Sequence, residues 1–182
     1  MDNLNQQRFV IPDVLASHFH LRTGDRIADF GTGIGSFVPV LSRLVGPEGR
    51  VYAIEIQKSL VEALVTKARK EHLSNVEVIW GDLEEMNGTK IADGALDAGV
   101  MINCLFQIED KSTAVREVWR TLRSGGKFLV VDWSDSWGGM GPQLGQIVGQ
   151  ADARDIVESE GFVFERTFDA GAHHYGLAFR KA

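Results

Sequence analysis

At 182 residues and 44% hydrophobic content, the chain has the size of one domain, spanning 1–182, with a sizeable core and no room for a second. The formal net charge of −6 and a pI near 5.4 disfavour a surface that neutralises nucleic-acid phosphates, so nucleic acid is not an expected partner. The amino terminus lacks a signal-peptide pattern, no apolar run is long enough for a membrane span, and the one cysteine, Cys104, excludes an internal disulfide framework, so we expect a cytoplasmic protein.

Short apolar strands alternate with amphipathic helices in the first half of the chain. An opening helix is expected over about 9–22, clearest from Pro12 to Leu21. The elements predicted after it are strand Arg26–Phe30, helix Phe37–Val45, strand Arg50–Glu55, helix Ser59–Glu71 and strand Val76–Trp80. This alternation predicts a doubly wound α/β fold, in which helices cover both faces of a mostly parallel sheet.

The second half continues the alternation and ends in two strands. The predicted elements are strand Leu96–Ile102, helix Asp110–Leu122 stopped by Gly125-Gly126, strand Lys127–Asp132, helix Asp152–Glu160, and strands Phe162–Phe168 and Tyr175–Arg180. The last two strands are joined so closely that they must run antiparallel. We therefore predict a three-layer, seven-stranded sheet with an antiparallel last strand, and a flexible, glycine-rich loop at about 133–149.

The strongest chemical signal is the glycine-rich turn Asp29–Gly35, which follows the first strand. Glycines there let the backbone turn tightly and approach a ligand closely. A dinucleotide-binding turn would have a third glycine or alanine where this chain has Ser36. Asp29 would repel a pyrophosphate but would accept hydrogen bonds from an ammonium group of an amino-acid moiety. An ordinary tight turn is the alternative interpretation.

Two further acids occupy equivalent positions on the next strands. Glu55 ends the second strand, where doubly wound folds place an acid that binds a ribose diol. Asp82, in Gly81-Asp82-Leu83, follows the third strand and could accept a hydrogen bond from an adenine amine. Each alone is typical of a solvated strand end or a turn. Together with Asp29 they predict one ligand crevice at the carboxyl ends of three strands.

These motifs resemble those of the class I S-adenosylmethionine-dependent methyltransferases, and the resemblance runs from about Arg8 to Lys181. The matching stretches are Asp29–Gly35, Val51–Glu55, Gly81–Leu83, Leu96-Asp97-Ala98 and Leu122–Lys127. Within the class, the chain is most similar to compact, single-domain methyltransferases related to the ubiquinone and menaquinone biosynthesis enzymes. The resemblance implies a Rossmann-like fold and a methyl group transferred in line to a small-molecule acceptor.

The resemblance also implies that the cofactor is S-adenosylmethionine and the product S-adenosylhomocysteine. It implies a methionine site around the glycine turn, a ribose contact at Glu55 and an adenine contact at Ile56, Asp82 and Leu83. Asn103 is placed at the reacting end. The residues expected to bind the cofactor are Asp29, Phe30, Gly31, Thr32, Gly33, Gly35, Glu55, Ile56, Gly81, Asp82, Leu83 and Asn103.

Catalytic residues are harder to assign, because an activated methyl donor needs a general base only for some acceptors. Beside Asn103, the candidates for acceptor positioning or base are His173 and His174, in the connection between the last two strands. His18 and His20 in the opening helix are weaker candidates. An isolated histidine is more often a surface or packing residue.

Several alternatives remain open from the sequence. One is an NAD(P)-dependent oxidoreductase on a similar sheet, and another is a catalytically silent scaffold or activator subunit. Trp133, Trp137 and Met140 could cover a bound acceptor or simply pack their own loop. The acids Glu84 and Glu85 are interpreted as solvated, and no metal site is expected. Both a monomer and a homodimer are compatible with the sequence.

Overall fold

A computed structural model of the chain describes residues 10–137 and 141–182. The helices are α1 Pro12–Phe19, α2 Val38–Val45, α3 Lys58–Lys70, α4 Lys111–Thr121 and α5 Gln150–Ser159, with 3₁₀ helices at Leu105–Gln107 and Leu144–Gln146. The strands are β1 Arg26–Phe30, β2 Arg50–Glu55, β3 Val76–Trp80, β4 Leu96–Ile102, β5 Leu122–Trp133, β6 Phe162–Asp169 and β7 His174–Lys181. Phe9 of the expected opening helix, and Gly138, Gly139 and Met140 of the expected loop, lie outside the described residues.

All seven strands form one sheet in the order β3-β2-β1-β4-β5-β7-β6. β1 pairs in parallel with both β2 and β4, whereas β7 runs antiparallel to both β5 and β6. The strand order reverses between β1 and β4, and in open α/β sheets a crevice forms at the carboxyl ends of the strands at such a point. The predicted fold is therefore confirmed, including its antiparallel last strand.

Helices cover both faces of the sheet. The central strands β1, β2 and β4 are therefore buried along nearly their whole length, and exposed residues do not alternate with buried ones. On one face α4 and α5 pack over a core that contains Phe30, Phe128 and Phe179. On the other face α1 and α2 pack over Ile27, Val51 and Leu129. Among the described residues, no helix combines the length and the apolar character needed to cross a bilayer.

The junction between α4 and β5 differs from the prediction. The helix ends at Thr121 and β5 begins at Leu122, so Gly125-Gly126 lies inside an irregular strand and does not end the helix. Lys181, at the end of β7, donates to the carbonyl oxygens of Trp119 and Leu122, each at 2.7 Å. A side chain far away in sequence thus satisfies carbonyl groups at the end of this helix.

Candidate functional site

A cavity of about 490 Å³ opens at the carboxyl ends of β1, β2, β3 and β4. This volume lies within the range that is typical of small-molecule sites. The predicted site residues that line it are Asp29, Gly31, Thr32, Gly33, Glu55, Ile56, Gly81, Asp82, Leu83 and Asn103. The structure therefore brings the three strand-end acids to one crevice, as the sequence predicts.

The glycine turn is held against the end of β2. The backbone amides of Gly31 and Thr32 both donate to the carbonyl oxygen of Ile54, at 3.1 and 3.0 Å. Gly31 has a φ of +74°, and a Cβ atom at that position would lie 2.2 Å from Sγ of Cys104. The turn therefore needs glycine at this point both for its backbone conformation and for its close approach to Cys104, which follows β4.

Asp29 is almost fully buried beneath this turn, with 3% of its surface exposed. One of its carboxylate oxygens accepts a hydrogen bond of 2.7 Å from the hydroxyl of Thr32. Burial raises the pKa of Asp29 to about 6, the Thr32 hydrogen bond acts against this rise, and the charge of Glu55 adds to it. At neutral pH the carboxylate is thus charged although poorly hydrated, which favours a positively charged ligand beside it.

Glu55 connects the glycine turn to the segment after β2. Its Oε2 accepts a hydrogen bond of 3.0 Å from the backbone amide of Gly33, and its Oε1 accepts one of 2.8 Å from the amide of Gln57. A carboxylate has about four acceptor positions, and the backbone occupies two of them. Glu55 can therefore hold the turn in place and still accept two further hydrogen bonds from a ligand in the cavity.

The third strand contributes Asp82 and its neighbours. Oδ1 of Asp82 accepts a hydrogen bond of 2.8 Å from the backbone amide of Glu84. Glu84 also lines the cavity, and its Oε2 accepts from the amide of Asp110 at 2.7 Å. Glu84 is thus partly exposed and lies in the cavity wall, whereas Glu85 is exposed. The hydrogen bond from Asp110, the residue before α4, holds Glu84 beside the cavity, and no local sequence pattern shows that contact.

Asn103 completes the site just after β4. Its φ is +53°, and its backbone amide donates to the carbonyl oxygen of Val131 at 2.8 Å. Its side-chain Oδ1 is buried and accepts no hydrogen bond from the described residues. Buried polar atoms in folded proteins normally have a partner. An acceptor without one in a cavity wall indicates that a ligand donor or a water completes it.

The electrostatic character of the cavity is uniform. Four carboxylates line it, from Asp29, Glu55, Asp82 and Glu84. Among its described lining residues there is no lysine, arginine or histidine. Such a cavity attracts cations and repels phosphates, because the low-dielectric walls strengthen the field of the carboxylates.

Two predicted cofactor residues do not line the cavity. The side chain of Phe30 is fully buried in the core under α4 and α5, since it points to the opposite face of β1 from Asp29. Gly35 lies beside Leu64, and its amide closes the turn by donating to the carbonyl oxygen of Thr32 at 2.9 Å. Both residues shape the turn from outside the cavity.

The two candidate histidines also lie outside the cavity lining, with His173 just before β7 and His174 as its first residue. Nδ1 of His173 is 2.6 Å from a carboxylate oxygen of Asp135, and its ring stacks on Trp137. Nδ1 of His174 is 2.9 Å from the carbonyl oxygen of Ala172, and its ring centroid is 4.2 Å from that of Trp133. Burial lowers the pKa of His174. The weaker candidate His18 stacks on Phe168 and does not line the cavity.

Asp132 is a residue that the sequence analysis treated only as the end of a strand. It is 1% exposed, and burial raises its pKa to about 6. Its carboxylate accepts from the backbone amide of Trp133 at 2.8 Å and from that of Phe106 at 3.2 Å. Asp132 thus anchors the 3₁₀ helix that follows Asn103. The sequence does offer one signal for Asp132, because, like Glu55, it is an acid at the end of a predicted strand.

Comparisons with known proteins agree with this geometry. The sequence model of a family described as "Methyltransferase domain" matches residues 28–130. The ubiquinone/menaquinone biosynthesis C-methyltransferase UbiE of Vibrio parahaemolyticus is 32% identical over 114 residues, which is 62% of this chain and 43% of that protein. The chain therefore matches less than half the length of this curated relative.

Solved structures share the fold. The crystal structure of a SAM dependent methyltransferase from Aquifex aeolicus has a TM-score of 0.88 and 24% identity, covering 100% of this chain and 95% of that one. The geranyl diphosphate C-methyltransferase from Streptomyces coelicolor, solved with S-adenosyl-L-homocysteine, has a TM-score of 0.77 and 14% identity, covering 94% and 78% of the two chains. At these identities the likeness establishes the architecture of the chain.

Proposed function

This chain belongs to the methyltransferase domain family, and from that premise we propose that it is an S-adenosylmethionine-dependent methyltransferase acting on a small-molecule acceptor. The observation that carries the proposal is the cavity in which Asp29, Glu55, Asp82 and Asn103 meet. The four carboxylates of this cavity, those three acids and Glu84, suit a ligand that carries a sulfonium and an ammonium group. The same carboxylates disfavour a nicotinamide dinucleotide, because its pyrophosphate would lie among them.

The proposed cofactor contacts follow from the positions of the residues. Glu55 accepts hydrogen bonds from the ribose hydroxyls with the acceptor positions that Gly33 and Gln57 leave open. Asp82 and Leu83 contact the adenine, and Ile56, whose surface is 54% exposed, covers one face of the ring. When bound, S-adenosylmethionine supplies an activated methyl group, so the protein's main task is to hold both reactants in line.

For the acceptor side we propose that His173 and His174 contact the acceptor, and that Asn103 lies at the reacting end of the cavity. The amide of Asn103 donates to the carbonyl oxygen of Val131 of β5, and the ring of Trp133, two residues further along β5, lies tilted against that of His174. With its Nδ1–H donated to the Ala172 carbonyl, His174 carries its lone pair on Nε2. This Nε2 is buried and has no hydrogen-bond partner among the described residues, which suits a base or an acceptor for a substrate hydroxyl.

The double substitution His173→Ala plus His174→Ala is expected to lower kcat by about 100-fold or more for a hydroxyl or carbon-acid acceptor. Because neither residue lines the cavity, the affinity for S-adenosylhomocysteine should stay within error of the wild-type value. Single-turnover transfer of a labelled methyl group checks this, with His18→Ala as a matched control. Normal turnover of the double variant would remove the histidines from the proposal.

Ligand binding and methyl transfer together test the proposed function. We expect S-adenosylhomocysteine to raise the melting temperature, while NAD and NADP do not. We also expect labelled methyl groups to pass from the cofactor to a component of a metabolite extract. Stabilisation by NAD or NADP alone would favour the oxidoreductase alternative. Binding of S-adenosylhomocysteine without transfer to any acceptor would favour the silent scaffold or activator alternative.

The setting of the reaction is part of the same proposal. The motifs recognised in this domain, namely the glycine turn, Glu55 and Gly81–Leu83, lie in the cofactor cavity. No motif for a macromolecular acceptor is recognised beside them, so we propose a small-molecule acceptor. The free, buried Cys104 is consistent with a reducing, cytoplasmic compartment, and burial raises its pKa to about 12, so it is a poor nucleophile. A single domain over 1–182 acting as a monomer or a homodimer remains our proposal for the assembly.

A further inference from the structure

A second cavity lies at the opposite edge of the sheet from the cofactor cavity. Its volume is about 220 Å³, which is below the range of drug-sized ligands and suits a small ion. It is formed where β1, β4 and β5 begin and where the antiparallel β7 ends. Its lining residues are Arg22, Asp25, Asp97, Ala98, Arg123, Gly125, Lys127 and Arg180. We call it the amino-edge cavity.

Positive charge is in excess in the amino-edge cavity. Four cationic side chains line it against the two carboxylates of Asp25 and Asp97, although the whole chain has a net charge of −6. Asp97 already accepts from Nε of Arg123 at 2.7 Å with one oxygen and from the backbone amide of Arg26 at 2.9 Å with the other. Asp25 accepts from the backbone amide of Arg22 at 2.8 Å. Arg123 is paired with Asp97, and Arg180 with Glu165 of β6. Arg22 and Lys127 then face the single carboxylate of Asp25, so one positive charge is left uncompensated.

Donor groups in the amino-edge cavity are also under-used. The ammonium group of Lys127 donates to the carbonyl oxygen of His20 at 2.8 Å, and no other acceptor for it is found in the described residues. Within the same part of the chain, the guanidinium group of Arg22 makes no hydrogen bond and no ion pair. Arg180 pairs with Glu165 on β6, outside the cavity lining. Lys127 and Arg22 therefore have several donors available for a ligand.

The surroundings of Lys127 support this description. Burial lowers its pKa, as do the charges of Arg22 and Arg180, whereas those of Asp25 and Glu165 raise it. Cations held near one another repel, and an anion between them would relieve that repulsion. A phosphate group would compensate the excess positive charge of the cavity, since a phosphomonoester carries about −1.5 to −2 charges at pH 7.

We propose that the amino-edge cavity is a binding site for a small phosphate anion, either inorganic phosphate or a phosphomonoester, held by Arg22 and Lys127. A small ion is favoured over a polyanion such as nucleic acid, because the net charge of −6 repels an extended chain of phosphates while the concave cavity shields one ion. The site is independent of the cofactor cavity, so it stands or falls separately from methyl transfer.

Calorimetric titration with inorganic phosphate, at constant ionic strength kept with chloride, tests this proposal. We expect saturable binding to the wild-type protein and binding at least tenfold weaker to the double variant Arg22→Gln plus Lys127→Gln. The matched control is Lys70→Gln plus Arg154→Gln, which removes the same charge from exposed positions on α3 and α5. This control should bind phosphate as the wild type does.

A parallel titration with glycerol 3-phosphate distinguishes the source of the phosphate group, since tighter binding than that of inorganic phosphate identifies a phosphomonoester site. Circular dichroism and denaturant unfolding show that each variant is folded, independently of cofactor binding. Equal phosphate affinity in the wild type and both double variants would overturn the proposal, because Arg22 and Lys127 would then contribute nothing to phosphate binding. Absence of saturable binding of either ligand to the wild type would also overturn it.

Discussion

The substitution Asp29→Asn is expected to weaken cofactor binding and, at the same time, to stabilise the ligand-free protein above pH 6. Asparagine keeps the oxygen that accepts the Thr32 hydroxyl, but it removes a charge that is 97% hidden from solvent, since only 3% of Asp29 is exposed. The rise in pKa from 3.8 to about 6 corresponds to about 3 kcal/mol of lost stability when Asp29 is ionised.

The sign of this effect is set by proton linkage. The folded protein holds the proton on Asp29 more tightly than the unfolded chain does, so the stability that this group contributes is present below pH 3.8. That stability is lost as the pH rises through about 6. The advantage of Asp29→Asn over the wild type should therefore grow between these two pH values and stay constant above them.

Denaturant unfolding at pH 4, 6 and 8 measures the stability, and titration with S-adenosylhomocysteine measures the affinity. We expect the dissociation constant of Asp29→Asn to rise by roughly 10- to 100-fold, the value of one charge-assisted hydrogen bond. Asp155→Asn, at an exposed position on α5, serves as the control and should change neither quantity. A less stable Asp29→Asn protein with unchanged affinity would contradict both parts of this prediction.

Glu55→Gln is expected to cause the largest loss of cofactor affinity. Both carboxylate oxygens of Glu55 accept a backbone amide, from Gly33 and Gln57. Glutamine has one oxygen with two acceptor positions. One backbone amide therefore loses its acceptor, and the ribose hydroxyls lose one of the two positions that the carboxylate leaves open. For the ribose, one hydrogen bond and the charge behind the other are lost, which corresponds to about 2–4 kcal/mol, or roughly a 100-fold rise in the dissociation constant.

The same titration with S-adenosylhomocysteine checks the prediction for Glu55. Glu85→Gln is the matched control, because Glu85 is exposed and does not line the cavity. Circular dichroism and unfolding separate a local loss of binding from a loss of the fold, and we expect the fold to persist. An affinity of Glu55→Gln close to that of the wild type would show that Glu55 only holds the glycine turn.

The sequence alone located the first four strands at the residues where the structure has them. Arg26–Phe30, Arg50–Glu55, Val76–Trp80 and Leu96–Ile102 match without a shift. These strands are short apolar runs bounded by turns or polar segments, so their limits are encoded locally. The sequence also placed the acids of the cofactor cavity, because parallel strands must present their carboxyl ends at one edge.

Tertiary contacts decided what the local pattern could not. Lys181 donates to carbonyl groups at the end of α4, including that of Leu122, which is 59 residues away in sequence. Glu84 is held at the cavity wall by the amide of Asp110, and Asp132 is buried and accepts from the amide of Phe106. Their neighbours in sequence predict neither contact. Periodicity and turn residues record which elements form, since they act over a few residues. Which carboxylate is buried and which is solvated depends on partners from distant segments, which only the folded chain brings together.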